Sequence, residues 1–235
     1  MDYNVITNKS KDNTMNTLDK GTIRAVIFDL DGTLIDTEKI YRVLWPAAMK
    51  TLGHTFTEEQ YLQLRSLGRP YSPAKFAEWY GPEFDYDLAR KIRGELFNEH
   101  IRIHGIDRKP GAIELLNYLR DNGIVTAIAT ATDYDRATRF LDMTELSGYF
   151  DRVISATMVD EGKPSPKVYQ YACSELGFAP NECVAVEDAP NGILSAYRAG
   201  LNVIMVPDQS DCTDELRPLI FDCVSRLDKI CDIIK

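Results

Sequence analysis

The chain has 235 residues, of which 44% are hydrophobic and 27% are charged, so it can bury more than half of its unfolded surface in a globular fold. Its formal net charge of -9 argues against nucleic acid or an anionic membrane as a partner, because both require a basic face. No apolar run approaches the roughly 18 residues that span a bilayer, and the five cysteines lack the CxxC spacing of a zinc site. We therefore expect a cytoplasmic protein, a monomer or alternatively a dimer.

Residues 1–20 are polar and predict a flexible leader without a function. After them comes the apolar run IRAVIFD, which stops at Asp29 as a buried parallel strand does. Similar runs follow at IVTAIAT (124–130), RVISA (152–156), CVAVE (183–187) and NVIMV (202–206). Segments of helical period separate them: AIELLNYLRDNG, YDRATRFLDMTEL, SPKVYQYACSELG and PNGILSAYRAG. Strands that alternate with helices predict an α/β fold with a doubly wound parallel sheet.

The block 38–105 differs, because it contains several amphipathic helical segments and no convincing strand. It predicts an inserted α-helical cap domain, and residues 21–37 and 106–235 would form the α/β catalytic core. The two parts would be joined by short hinges near Asp36 and Ile106. Because ligands bind at the carboxyl ends of the strands in an open α/β sheet, the insertion would lie over the site.

Two carboxylates follow the first strand, at Asp29 and Asp31. Carboxylates this close repel and are costly to bury unless a cation or a proton lies between them. Magnesium, which prefers oxygen ligands, would stabilise the pair and leave a position for a phosphate oxygen. The alternative is that both aspartates only cap a turn and a helix, with Gly32 supplying unusual backbone angles.

The ends of other strands carry further polar groups. Thr130 could hold a phosphate oxygen, and Lys163 could offset phosphate charge, whereas in isolation they predict a helix cap and a solvated lysine. Glu187 and Asp188 form a second acidic pair, at the end of CVAVE. Together these residues predict a metal and phosphate site at one edge of the sheet.

Four segments in this order resemble the motifs of the haloacid dehalogenase superfamily: FDLDGTLIDTE (28–38), IATAT (128–132), GKPSPKVY (162–169) and VEDAPNGILSAYRAG (186–200). The similarity runs from Ile23 to about Pro207. It is to the subgroup with a small helical cap, which includes sugar-phosphate phosphatases and β-phosphoglucomutase.

The resemblance implies a role for each matching residue. Asp29 would be the nucleophile that forms an aspartyl phosphate, and Asp31 would be the general acid and base, with its backbone carbonyl on the metal. The phosphate would be bound by Thr130, Ala131 and Lys163. The Mg²⁺ cofactor would be held by Asp29, Asp31, Glu187 and Asp188. The implied activity is Mg²⁺-dependent hydrolysis of a small phosphorylated metabolite, a sugar phosphate or a nucleotide-like compound.

Other activities of the superfamily remain as alternatives. A β-phosphoglucomutase would carry a histidine where Tyr41 stands and an arginine where Tyr71 stands, so hydrolysis is favoured. A dehalogenase would lack the second aspartate, Asp31, and a phosphonatase would need a Schiff-base lysine that the cap does not single out. A non-catalytic binding or regulatory module would have lost at least one motif residue, and none is lost.

The substrate is not identified by the sequence. Four cap residues are candidate substrate contacts: Tyr41, Arg65, Arg69 and Tyr71. Trp45, Phe76 and Trp79 are expected to pack in the interior of the cap.

Overall fold

The computed structural model describes residues 17–19 and 21–235, so most of the predicted leader lies outside the described residues. Strands and helices alternate through the second half of the chain. The strands are β1 (Ala25–Phe28), β2 (Val125–Thr130), β3 (Arg152–Ser155), β4 (Cys183–Glu187), β5 (Asn202–Met205) and β6 (Asp222–Cys223). The helices between them are α5 (Ala112–Asp121), α6 (Tyr134–Met143), α7 (Lys167–Leu176) and α8 (Pro190–Ala199). Helices α1 to α4 precede these in the chain and are described below.

The six strands form one parallel sheet in the order β3-β2-β1-β4-β5-β6. β1 lies at its centre, where Phe28 pairs with Ile128 on one side and with Val186 on the other. This register brings the residues that follow β1, β2 and β4 to the same edge of the sheet. The predicted doubly wound α/β sheet is confirmed.

Helices cover both faces of the sheet, because the residues of each strand point alternately to opposite sides. In β1, Val26 and Phe28 contact one hydrophobic core, which also contains α5 and α6. Ala25 and Ile27 contact a second core with α7 and α8. Burial on both faces explains why the strands appear in the sequence as continuous apolar runs.

The segment 38–105 forms four helices and no strand, in agreement with the helical segments that the sequence predicts. Its helices are α1 (Glu38–Thr51), α2 (Glu58–Leu64), α3 (Tyr71–Tyr80) and α4 (Tyr86–His104). Trp45 and Phe76 are buried among other aromatic rings, with their own centroids 5.1 Å apart, as expected for interior packing. The chain enters and leaves this segment at neighbouring positions, because the Asp36 amide donates to the Asp107 carbonyl at 2.9 Å. The division into a core and a cap domain stays a prediction.

The backbones of the loop after α2 and the loop before α7 are in direct contact. The Gly68 amide donates to the Lys163 carbonyl at 2.9 Å, and the Gly162 amide donates to the Arg69 carbonyl at 2.7 Å. A Cβ placed on Gly68 would lie 2.7 Å from the Cα of Gly162. The helical segment therefore lies in contact with the loops at the edge of the sheet. Among the described residues, no helix has the length and apolar character needed to cross a membrane.

Candidate active site

Asp29 and Asp31 lie in the turn that directly follows β1. The Asp29 amide continues the strand ladder by donating to the Val186 carbonyl at 2.9 Å. Gly32 then reverses the chain at a φ of +86°, a conformation that glycine adopts without strain. A Cβ at Gly32 would lie 2.6 Å from Oδ2 of Asp188. Gly32 thus serves the turn, and it also lets the chain approach the second acidic pair.

A buried acidic cluster lies beside this turn. Asp29, Glu187 and Asp188 each place a carboxylate oxygen within 4.8 Å of the others. The ammonium of Lys163 lies between two of them, with Nζ 2.5 Å from Oδ1 of Asp29 and 2.6 Å from Oε1 of Glu187. Tyr169 donates to the same Glu187 oxygen at 2.6 Å. Two of the three carboxylates therefore share one lysine.

Two aspartates of this cluster, Asp29 and Asp188, have a raised pKa, and burial is the main cause. Burial raises the pKa of Asp29 well above its usual value, against the opposing charge of Lys163 and with repulsion from Glu187 adding to the rise. Burial likewise raises the pKa of Asp188 to about 7, although the Arg65 guanidinium opposes this. For these two aspartates, the nearby positive charge does not offset the cost of burying the ionised form.

The donor set fits a hard divalent cation. Across residues 17–19 and 21–235, Oδ2 of Asp29 and Oε2 of Glu187 are buried without a hydrogen-bond partner, and such orphaned oxygens are costly unless a ligand satisfies them. Carboxylate oxygens are the ligands that Mg²⁺ prefers. Asp29, Glu187 and Asp188 could therefore hold this ion. The Asp31 side chain is outside this cluster, and its predicted ligand is its backbone carbonyl.

The Asp31 carboxylate is oriented by two hydroxyl groups. Thr37 donates to Oδ1 at 2.6 Å, and Thr132 donates to Oδ2 at 2.7 Å. The backbone amide of Thr132 in turn donates to the Thr130 hydroxyl at 3.0 Å. The end of β2 thereby fixes the position of a carboxylate that belongs to the end of β1.

A cavity of about 440 Å³ lies between the sheet edge and the helical segment. Asp29, Asp31, Thr130 and Ala131 line its core side. Lys163 is fully buried behind them and reaches the cavity only through Asp29. The predicted catalytic and phosphate-binding residues are therefore brought together in one place.

The four predicted cap contacts have different surroundings. Tyr41, Arg65 and Arg69 line the cavity, and the Tyr41 ring stacks on Phe97 with centroids 4.5 Å apart. The buried Arg65 contacts Asp188 with its guanidinium, so it bridges the cap loop to the acidic cluster. Tyr71 is not among the cavity-lining residues, and its hydroxyl donates to Glu161 at 3.2 Å, which does not support a substrate contact.

Three cavity-lining arginines were not singled out by the sequence analysis: Arg90, Arg93 and Arg136. The spacing of the first two, three residues apart on α4, places them on one helix face. Arg136 follows β2 by six residues and lies in the first turn of α6. Because Arg136 lies on a different helix from Arg90 and Arg93, sequence spacing does not predict that the three side chains line one cavity.

The site and the fold agree with what the chain resembles among known proteins. The model of the haloacid dehalogenase-like hydrolase family matches residues 23–200. The chain belongs to this family. It is 31% identical to hexitol phosphatase A of Escherichia coli, over 80% of this chain and 85% of that one. It is 30% identical to the phosphorylated carbohydrates phosphatase of Thermotoga maritima, over 77% and 84%.

A solved relative has the same architecture. A point mutant of CbbY from Rhodobacter sphaeroides, in complex with xylulose-(1,5)bisphosphate, superposes with a TM-score of 0.78 at 25% identity. The match covers 91% of this chain and 100% of that one. The family, the fold and the expectation of an enzyme, predicted from the four motifs, are confirmed.

Proposed function

We propose that the chain is a Mg²⁺-dependent phosphomonoester hydrolase that acts on a small phosphorylated sugar or a similar metabolite through an aspartyl phosphate at Asp29. The main support for this proposal is the position of Asp29. It lines the cavity and belongs to the buried acidic cluster with Glu187 and Asp188. The names of two relatives support this choice of substrate. One is a hexitol phosphatase, and the other is a phosphatase of phosphorylated carbohydrates.

In the first step a carboxylate oxygen of Asp29 attacks phosphorus, and the bond from phosphorus to the substrate oxygen breaks. Asp31 gives its proton to the departing alcohol oxygen. Thr130 and Ala131 would hold the phosphoryl oxygens, and the buried Lys163, paired with Asp29, would offset their charge from behind the nucleophile. Bound Mg²⁺ would supply further positive charge at this group, held by Asp29, Glu187 and Asp188.

In the second step Asp31 takes a proton from a water molecule, whose oxygen attacks phosphorus. The Asp29 to phosphorus bond breaks, which releases inorganic phosphate and restores both carboxyl groups. The hydrogen bonds from Thr37 and Thr132 support this role, because they hold the Asp31 carboxylate in one orientation. The geometry thus provides a nucleophile and a separate acid and base.

Hydrolysis is favoured over a phosphoglucomutase reaction. A mutase of the resembled type holds the acid and base aspartate in check with a histidine, and Tyr41 occupies that position here. Tyr41 is stacked on Phe97 and lies under the guanidinium of Arg93. Asp31 accepts its two side-chain hydrogen bonds from threonines instead. This arrangement supports an enzyme that transfers the phosphoryl group to water.

The test is a screen of phosphorylated metabolites with Mg²⁺ that measures released phosphate. Wild type is expected to release phosphate from small sugar phosphates, and Asp29→Asn is expected to release none. A mutase would convert β-glucose 1-phosphate to glucose 6-phosphate in the presence of the 1,6-bisphosphate without matching phosphate release. A binding module would do neither, and either outcome would refute the proposal.

A further inference from the structure

The helical wall of the active-site cavity is rich in arginine, although the chain as a whole carries a net charge of -9. Arg90 and Arg93 extend from α4, and Arg136 extends from α6 on the other side. Arg90 is neutralised, because its guanidinium forms an ion pair with Asp133 at 2.7 Å. Arg93 and Arg136 differ from Arg90 in this respect.

Arg93 has aromatic contacts, and among the described residues it has no counter-ion. Its guanidinium lies 4.5 Å from the ring centroid of Tyr41 and 4.8 Å from that of Trp45. In the part of the chain that the structure describes, its Nε is buried without a hydrogen-bond partner and no carboxylate lies within ion-pair distance. Burial lowers the pKa of Arg93, and the nearby charge of Arg136 lowers it further. A partly desolvated cation without an anion is costly.

The Arg136 side chain extends from α6 to α4. Its Nη2 lies 3.1 Å from the point where a Cβ of Gly94 would be, and its guanidinium lies 6.0 Å from the Phe97 ring. Glycine in a helix interior costs roughly 0.5–1 kcal/mol relative to alanine, so position 94 sacrifices helix stability while it leaves space for this side chain. Over the described ranges Arg136 also has no carboxylate within ion-pair distance.

These two cations are separate from the groups that face the transferring phosphoryl. In the proposed reaction that role belongs to Thr130 and Ala131 at the sheet edge, and Lys163 lies behind them, already engaged with two carboxylates. A guanidinium fork matches the oxygens of a carboxylate or a phosphate. A cavity of about 440 Å³ also has room for a small metabolite that extends from the sheet edge to the helical wall.

We propose that Arg93 and Arg136 bind a second anionic group of the substrate, so that the preferred substrates are phosphomonoesters that also carry a carboxylate or a second phosphate. This inference rests on the proposed hydrolase function. It predicts that the enzyme selects its substrates by the charge of the group that does not react.

The experiment compares matched pairs of phosphomonoesters. 6-Phosphogluconate is compared with glucose 6-phosphate, 3-phosphoglycerate with glycerol 3-phosphate, and glucose 1,6-bisphosphate with glucose 6-phosphate. For each pair kcat/KM is measured, together with the inhibition constant of each compound against turnover of p-nitrophenyl phosphate. The first two pairs test a carboxylate, and the third tests a second phosphate.

Wild type is expected to favour the compound with the second anion by about 10- to 100-fold in at least one pair, the value of a hydrogen-bonded charge contact. In Arg93→Gln and Arg136→Gln this ratio should fall toward one, mainly through KM. Arg93→Lys, which keeps the charge, should retain part of the ratio. Arg139→Gln is the matched control, because Arg139 is an exposed arginine on the same helix as Arg136 and does not line the cavity. It should leave the ratio unchanged.

A wild-type ratio near one in every pair, by turnover and by inhibition, would overturn the inference. So would ratios that stay unchanged in folded Arg93→Gln and Arg136→Gln, which would mean that the arginines do not recognise the second anion. If p-nitrophenyl phosphate is hydrolysed while the ratios equal one, only this inference fails. If no phosphomonoester is hydrolysed, the proposed function itself fails.

Discussion

The ammonium of Lys163 is the single positive charge in contact with Asp29 and Glu187 among the described residues, at 2.5 and 2.6 Å, and it is fully buried. Lys163→Met keeps most of the side-chain volume and removes this charge. In metal-free buffer Asp29 and Glu187 would then lie beside each other and Asp188 without the lysine, while Asp188 would keep its contact with Arg65. We therefore expect a large loss of stability before any effect on catalysis is considered.

The size of the loss follows from the burial of the pair. Removing one partner of a buried ion pair costs about 3–5 kcal/mol, because the remaining charge is left uncompensated. For a chain of this length that corresponds to a fall in melting temperature of roughly 6 to 20 °C. Mg²⁺ should restore part of the loss in the variant, because a cation bound by the same carboxylates stabilises the folded state.

The assay is thermal unfolding followed by circular dichroism, in chelator and then in excess Mg²⁺. The matched control is Lys167→Met, because Lys167 lies four residues further along and forms ion pairs with the exposed Asp160 and with Glu161. Its replacement should leave the melting temperature almost unchanged. If Lys163→Met unfolded in chelator at the same temperature as Lys167→Met, the reasoning on the acidic cluster would be refuted.

Three further results are expected. Asp29→Asn should abolish phosphate release while the far-ultraviolet circular dichroism stays that of wild type; near-normal turnover would remove Asp29 as the nucleophile. Excess chelator should stop turnover, Mg²⁺ should restore it, and Ca²⁺, with its larger and looser coordination, should substitute poorly; full activity in chelator would count against the metal site. Burial raises the pKa of Glu38 from 4.5 to about 8, so the folded protein binds more protons than the unfolded chain between these values. The free energy of unfolding of the metal-free protein should therefore fall as pH rises through this range, and Glu38→Gln should weaken that fall in denaturant titrations; an equally steep fall in the variant would contradict the assignment.

The sheet could be predicted from the sequence because its strands are buried on both faces. CVAVE forms β4 with the predicted bounds, and IVTAIAT differs from β2 by one residue. β6 was missed, since it has only two residues, Asp222 and Cys223, at the edge of the sheet. The segment TEEQYLQLRSLG forms a helix that ends earlier than its pattern suggests, because Arg65 leaves helical geometry and Ser66 adopts a positive φ.

The core half of the site was predictable for a related reason. Parallel register forces the residues after neighbouring strands to one edge, so Asp29, Thr130 and Glu187 had to lie close together. The cap half has no such constraint, because the rotation of each helix is set by aromatic packing. Tyr71 was therefore expected at the cavity and lies outside its lining, while Arg93 and Arg136 line it without having been anticipated.

The contact of Gly68 with Gly162 makes the spacing between the helical segment and the sheet edge sensitive to a single methyl group. Because a Cβ on Gly68 would lie 2.7 Å from a backbone carbon, Gly68→Ala cannot form the same contact unless one of the two loops moves. Alanine at this position would therefore displace the loop after α2 from the loop before α7. Such a variant would provide a preparation in which binding of substrate and contact between these two loops can be measured as separate events.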